Sequence, residues 1–322
     1  MVWLVGILTV ICFMVILISY FCYRFVFYAA PRQSSSEIEI PEGEIYEVFR
    51  EKMTAWVQAS RSMRHEDMDI RSFDGLKLRG KFYEFAPGAP IELMFHGYRG
   101  TAERDMSGGI QRCFKLGRSA LIVDQRSSGR SDGDVITFGI NEHRDCLSWI
   151  DFVVDHFGPD VKIILTGISM GAATVMMAAG KSLPTNVVGV LADCGYNSAK
   201  DIMCKVIRQI GLPPAVCYPF AKLGAKLFGH FDLESYSPEE AMKTCTVPVI
   251  FFHGTGDDYV PHEMSRINFE ACASRKKLVL IPDAGHGLSY PVDPQTYLKE
   301  LQDFFGPELS CQDVTCNGNF SV

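Results

Sequence analysis

No dense run of lysine and arginine occurs anywhere in the 322 residues, and acidic residues outnumber basic ones by 38 to 31, for a net charge of −7. Such a chain is ill suited to a phosphate backbone, so nucleic acid is not expected as a partner. The 11 cysteines lack the regular spacing of a disulfide framework, and no segment repeats at a fixed period. In the tail, Cys311 and Cys316 are near enough to pair, but they fall two ligands short of a zinc site. There is no His-Glu-x-x-His, so no metal and no cofactor is expected. With 47% hydrophobic and 21% charged residues, collagen, coiled coil and low-complexity disorder are excluded as well.

Charge is also missing from Met1 to Tyr23, a run dominated by Val, Leu, Ile, Phe and Met. At about 1.5 Å per residue a helix of that length reaches roughly 34 Å, enough for a hydrocarbon core of about 30 Å. A cleaved signal peptide needs a basic start and a small-residue cleavage site, which Met1-Val2-Trp3 and the bulky Phe25–Tyr28 do not provide. The expectation is an uncleaved single-pass anchor over residues 1–30, with Tyr20, Tyr23, Tyr28, Arg24 and Arg32 at the interface. Arg24 and Arg32 lie on the C-terminal side, and the positive-inside rule then leaves the large domain in the cytoplasm.

Residues 31–66 read as a polar, Glu-rich juxtamembrane linker leading into a short helix near Ile45–Ser60. From residue 67 to 306, eight short β-rich runs alternate with helical segments, the pattern of a mostly parallel sheet with helices on both faces. The first two, Met68–Phe73 and Leu76–Phe85, flank Asp74-Gly75 and predict an edge hairpin. Helices are expected at Glu142–His156, Ala172–Ala179 and Thr296–Phe305, the last closed by Gly306. Between the sixth and seventh runs an insertion of about 195–243 holds three helical stretches, opened by Ser198, Ala215 and Ser237, and reads as a small helical cap. Its stripe of Phe220, Leu223, Leu227, Phe228 and Phe231 is expected to pack. Residues 307–322 form a tail.

Gly167-Ile168-Ser169-Met170-Gly171 follows one β run and precedes a helix. A serine on such a tight turn projects its hydroxyl outward, and the helix start brings positive potential to a developing oxyanion. The pentapeptide alone is weak evidence; its strand–turn–helix setting strengthens it. Serine needs a base and a group to orient that base. Asp257, with Asp258 beside it, follows one β run and His286 follows the next, in the order Ser, Asp, His. Asp193 and Asp283 are alternative acids. Phe95-His96-Gly97-Tyr98 ends an earlier run, where a backbone N–H near Tyr98 joins that of Met170 as a candidate oxyanion hole. His96 and His253, both before Gly, read as turn histidines. Gly180-Lys181-Ser182 follows a helix instead of opening one, and so is no phosphate loop.

These motifs, with Asp124-x-Arg126, Gly129, Ser131 and Asp257-x-x-Val260-Pro261, resemble the α/β hydrolases, in the serine-aminopeptidase-like and monoacylglycerol-lipase-like branch. The resemblance covers residues 67–306. It implies the α/β-hydrolase fold, selects Asp257 over Asp258 by the spacing to Val260-Pro261, and implies hydrolysis of an acyl bond through Ser169, Asp257 and His286. Ser127 stands where the family often carries glycine. The expected substrate is a small-molecule or lipid-like ester or related acyl compound, reached from a membrane. An aminopeptidase of the same fold and a non-catalytic tethered binding protein are the competing expectations. Oligomeric state is left open.

Overall fold

The computed structural model describes residues 2–30 and 37–309; Arg32, Cys311 and Cys316 lie outside the described residues. Helix α1 (Val2–Val26) is followed by α2 (Glu44–Glu47), α3 (Arg50–Ser62), β1 (Glu66–Arg71), β2 (Lys77–Tyr83), β3 (Ile91–Phe95), α4 (Ala102–Lys115) and β4 (Ser119–Asp124). Then come α5 (Glu142–Phe157), β5 (Ile163–Ile168), α6 (Met170–Ala179) and β6 (Val187–Asp193). Three helices, α7 (Ala199–Gln209), α8 (Pro214–Phe228) and α9 (Pro238–Met242), occupy the chain before β7 (Val249–Gly254). The rest is α10 (His262–Ala271), β8 (Lys276–Ile281), α11 (Ser289–Val292) and α12 (Pro294–Leu309).

The eight strands form one sheet in the order β1-β2-β4-β3-β5-β6-β7-β8, antiparallel at β1/β2 and β2/β4 and parallel elsewhere. This is the expected α/β-hydrolase architecture. Every residue of β3, β4 and β7 is buried, as befits strands covered on both faces. One face packs α5 and α6 through Trp149, Ile150, Val153, Val175 and Met176. The other packs α4 through Met106 and Ile110, and α12 through Tyr297, Leu301 and Phe305. The β1–β2 turn is wider than Asp74-Gly75, because Ser72 closes it: its hydroxyl accepts from Leu76 N at 2.8 Å.

Ser198 and Ser237 cap α7 and α9 by accepting from Asp201 N and Glu240 N. Gly306 does not end α12, which continues to Leu309. Phe304, Phe305 and Leu309 pack on the sheet and Arg275 donates to Phe304 O at 3.0 Å, a tertiary hold that outweighs the glycine. The single helix expected near Ile45–Ser60 is two, α2 and α3. The break serves two docking sites: Tyr46 bonds to the His286 carbonyl, while Trp56 stacks on Tyr290.

Helix α1 has the length and apolarity to cross a membrane, a test that a signal sequence also passes. Its first thirteen residues, 2–14, are exposed, whereas its last turns pack on α8. Tyr23, expected at an interface, is instead buried against the Phe228 ring. The reason is a close approach: a side chain at Gly224 of α8 would collide with the Ser19 carbonyl, so glycine alone admits the helix there.

Candidate active site

Strand β5 delivers Ser169 to the turn before α6 with φ 56° and ψ −116°, a conformation costly for a residue with a Cβ. The turn persists because its flanks carry no side chains. A Cβ on Gly171 would run into the Phe95 carbonyl, and one on Gly167 into the Gly171 backbone. Ser169 N donates to Asp193 O at 2.9 Å, tying the turn to β6. Since α6 begins at Met170, the Met170 amide is one of the N–H groups that a helix leaves without an internal acceptor.

The structure brings the three candidates into one chain of hydrogen bonds. Ser169 Oγ is 2.9 Å from His286 Nε2, and His286 Nδ1 is 2.6 Å from Asp257 Oδ2. Asp257 Oδ1 accepts from the amides of Tyr259 and Val260 at 2.9 and 2.8 Å. Burial alone would raise the Asp257 carboxyl, but hydrogen bonds from His253 and His286 overcome it and hold the group well below the usual carboxylate range. An acid held ionised beside an imidazole stabilises that imidazole's protonated form.

The alternative acids are elsewhere. Asp258 is exposed. Asp193 accepts from Ser289 Oγ at 3.0 Å and from Tyr297 Oη at 2.9 Å. Asp283 is an exposed turn residue with φ 58° whose amide donates to Thr255 Oγ1. His96 is fully buried, accepting from Gln125 N at 3.0 Å and donating to Gly97 O at 2.8 Å. His253 does more than shape a turn. Its Nε2 donates to Val260 O at 2.8 Å and lies 3.2 Å from Asp257 Oδ2, while Ser265 Oγ sits 2.6 Å from its Nδ1. Its place four residues before Asp257 was the available signal.

Tyr98 follows Gly97, and a Cβ on Gly97 would stand 3.6 Å from Ser169 Cβ, so the loop after β3 abuts the serine. Asp105, which no motif marked, accepts from Gly97 N at 3.0 Å and pairs with Arg104 at 2.6 Å. Ser127 takes φ 63°, the left-handed backbone for which the family's glycine is suited, and its hydroxyl donates to Val135 O at 2.9 Å. Asp124 fastens the same loop to α4, accepting from Ala102 N and Arg130 N.

A cavity of about 1070 Å³ opens beside Ser169 and His286. The helical insertion, which reads as a cap, does not cover it: no residue of 195–243 lines the cavity. The space on that side is filled by Ile136, Phe138, Met170, Met177 and Tyr196. Residues 37–46 line the cavity instead, Ile38, Ile40, Ile45 and Tyr46 among them, together with Trp56, Tyr259, Arg112 and Thr166. Cys194 Sγ comes within 4.8 Å of the Asp257 and His286 donors, a possible three-ligand set. Burial pushes that thiol well above its usual range, and a neutral thiol beside two groups bonded to each other is a poor metal ligand.

Comparison with known proteins agrees with this architecture. Protein YqkD of Bacillus subtilis is 28% identical over 190 residues, 59% of this chain and 62% of that protein's own length. Protein YfhR of Escherichia coli K12 is 23% identical over 311 residues, 92% of this chain and 96% of that one. Among solved structures, an esterase from Pyrococcus furiosus superposes with a TM-score of 0.65 at 20% identity, covering 86% of this chain and 99% of its own. An acylaminoacyl peptidase from Pyrococcus horikoshii gives 0.55 at 17% identity, over 82% of this chain and 44% of its own. The model of the alpha/beta hydrolase family matches residues 93–300, and the chain belongs to that family.

Proposed function

We propose that the protein is a serine hydrolase that cleaves carboxylic esters through an acyl-enzyme. His286 Nε2 takes the proton of Ser169 as its Oγ attacks the carbonyl carbon, and Asp257 orients the imidazole and stabilises its cation. The amides of Tyr98 and Met170 receive the oxyanion. His286 then protonates the leaving alkoxide and activates water to release the acid. The observation that carries this reading is the pair of contacts at one imidazole, 2.9 Å to Ser169 and 2.6 Å to Asp257.

The fold serves an esterase and an acylaminoacyl peptidase alike. Leaving-group chemistry favours the ester, because an alkoxide departs with less proton assistance than an amine. Residues 1–30 act in this reading as a membrane anchor and 67–306 as the catalytic domain, and Arg24 at the end of α1 supports a cytoplasmic side for that domain by the positive-inside rule.

The test is full-length protein in detergent, with p-nitrophenyl esters from C2 to C12, an aminoacyl-anilide and a fluorophosphonate probe. Ester turnover and labelling are both expected to vanish in Ser169→Ala, with kcat down by about 10⁶, and to survive in Ser128→Ala. Turnover of the anilide alone would make the protein a peptidase. Full turnover by Ser169→Ala would end the proposal.

A further inference from the structure

We propose that Arg99 and the Tyr98 hydroxyl are positioning residues that bind the oxyanion loop to the C-terminal end of α1, so that the seating of the membrane-type helix sets the rate of acyl transfer. The inference rests on the hydrolase reading above and deepens it by naming what holds the oxyanion amide in place.

The last carbonyls of a helix have no internal partner, and a buried end must find donors elsewhere. Helix α1 ends without a glycine cap. Tyr23 O accepts from the amides of Phe27 and Tyr28, at 2.9 and 3.1 Å. The next carbonyls turn to the loop after β3. Tyr98 Oη donates to Val26 O at 2.6 Å, and Arg99 Nη2 donates to Phe25 O at 2.8 Å and to Tyr28 O at 3.0 Å. Arg99 Nε donates to Tyr98 Oη at 2.8 Å, which joins the two side chains into one clamp. A guanidinium is well suited here, because its planar fork serves several acceptors at once and its charge complements the negative end of the helix.

The clamp also explains a strained residue. Arg99 has φ 53°, which a side chain at that position adopts only when its surroundings over-determine it. A cation beside an acyl site would ordinarily be read as holding an anionic group of the substrate. Here three of its donor contacts run back to the anchor end and to Tyr98.

The oxyanion loop is therefore fastened at two points. Asp105 of α4 holds Gly97 N at 3.0 Å, and the end of α1 holds Tyr98 and Arg99. The second fastening is as firm as the end of α1 itself. That end is fixed by Phe27, fully buried against the rings of Phe138 and Phe231. Its backbone pairs with residues 134–136: Ala29 N donates to Asp134 O and Ile136 N donates to Phe27 O, each at 2.8 Å. Loosening the clamp leaves Ser169, His286 and Asp257 untouched but lets the Tyr98 amide drift from the oxyanion, and a misplacement of about 1 Å can cost roughly 10²-fold.

The experiment compares wild type, Arg99→Ala, Arg99→Lys and Tyr98→Phe, all full length in detergent micelles. It measures kcat and KM for a p-nitrophenyl ester and inhibition by a trifluoromethyl ketone of matching chain length, whose tetrahedral adduct places an oxyanion in the hole. Arg99→Ala is expected to lower kcat about 10- to 100-fold with KM nearly unchanged, to weaken the ketone by the factor lost in kcat/KM, and to recover partly as Arg99→Lys. Tyr98→Phe, which keeps the ring and removes both hydrogen bonds of the hydroxyl, should show the same pattern to a smaller degree and serves if Arg99→Ala does not fold. Wild-type kcat in both Arg99→Ala and Tyr98→Phe overturns the inference, as does a raised KM with unchanged kcat, which would make Arg99 a substrate-binding cation. If wild type itself is not labelled by a fluorophosphonate, the hydrolase reading falls and takes this inference with it; labelling with no effect of the variants defeats the inference alone.

Discussion

The two sides of Ser169 differ in kind. Toward the helical insertion the space is packed with Ile136, Phe138, Met170, Met177 and Tyr196, and the end of α1 is driven into that cluster through Phe27. Toward residues 37–46 the serine faces an open cavity of about 1070 Å³, which adjoins a buried charge network. In that network Glu92 pairs with Arg112 and Arg118 and accepts from Thr166 Oγ1, and Arg112 and Thr166 border the cavity. The contrast teaches that the insertion, which reads in the sequence as a small helical cap, is scaffold on this side of the serine. The open space beside the serine is lined by the segment that reads as a mere linker.

The largest effect expected within this comparison belongs to neither side but to the group between them. Asp257→Asn keeps the volume and loses the charge that holds the imidazole, so kcat should fall by about 10⁴ while the fold survives. Kinetics beside a thermal melt check both halves.

The packed side should then answer in stability. Phe138 contacts the rings of Phe27 and Tyr98, and Phe138→Ala should cost about 3–5 kcal/mol, read by urea titration. A Phe138→Ala protein of undiminished stability would break the contrast, because that side would not be a packed core.

The cavity side should answer to acid. Burial would raise Glu92, but Arg112 and Arg118 outweigh it and hold the carboxyl at about 2. A carboxyl lowered in the folded state contributes stability that is complete above its ordinary value near 4.5 and is lost as pH falls toward 2. Urea titrations from pH 6 to 2.5 should show a decline of roughly 3 kcal/mol from this group. Glu92→Gln should lower stability at pH 7 and flatten that decline. An unchanged slope in Glu92→Gln would remove the charge network from the account.

The smallest effect is the most telling for specificity. Ile40→Trp narrows the cavity without touching the triad, and should shorten the preferred acyl chain and change KM by about fourfold, the worth of one buried methylene at about 0.8 kcal/mol. Phe220→Trp in the insertion should leave acyl preference alone. If the insertion variant shifted chain-length preference and Ile40→Trp did not, the assignment of the two sides would be reversed.

Much of this molecule is legible along the chain for a physical reason. Period, caps and turn residues are local, so all eight strands and the Ser198 and Ser237 caps follow from short stretches of sequence. The nucleophile turn is also local, since Gly167, Ser169 and Gly171 are within five residues and their strain needs only the strand before and the helix after. Helix α4 is not legible in the same way, because Gly108 and Gly109 interrupt its pattern, and the reason for Gly108 is the Trp56 ring of another helix lying across it.

What the sequence by itself determined is the layered sheet, the order of serine, acid and histidine, and an apolar helix at the start of the chain, each encoded by neighbours along the chain. Tertiary structure alone decided what lies more than a few residues apart. It filled one side of the serine and opened the other, buried Glu92 between two arginines, and clamped the end of α1 with Tyr98 and Arg99. Most of those contacts join segments dozens of residues apart, and such pairings are set by packing and by the need of buried donors and acceptors for partners, which no local pattern records.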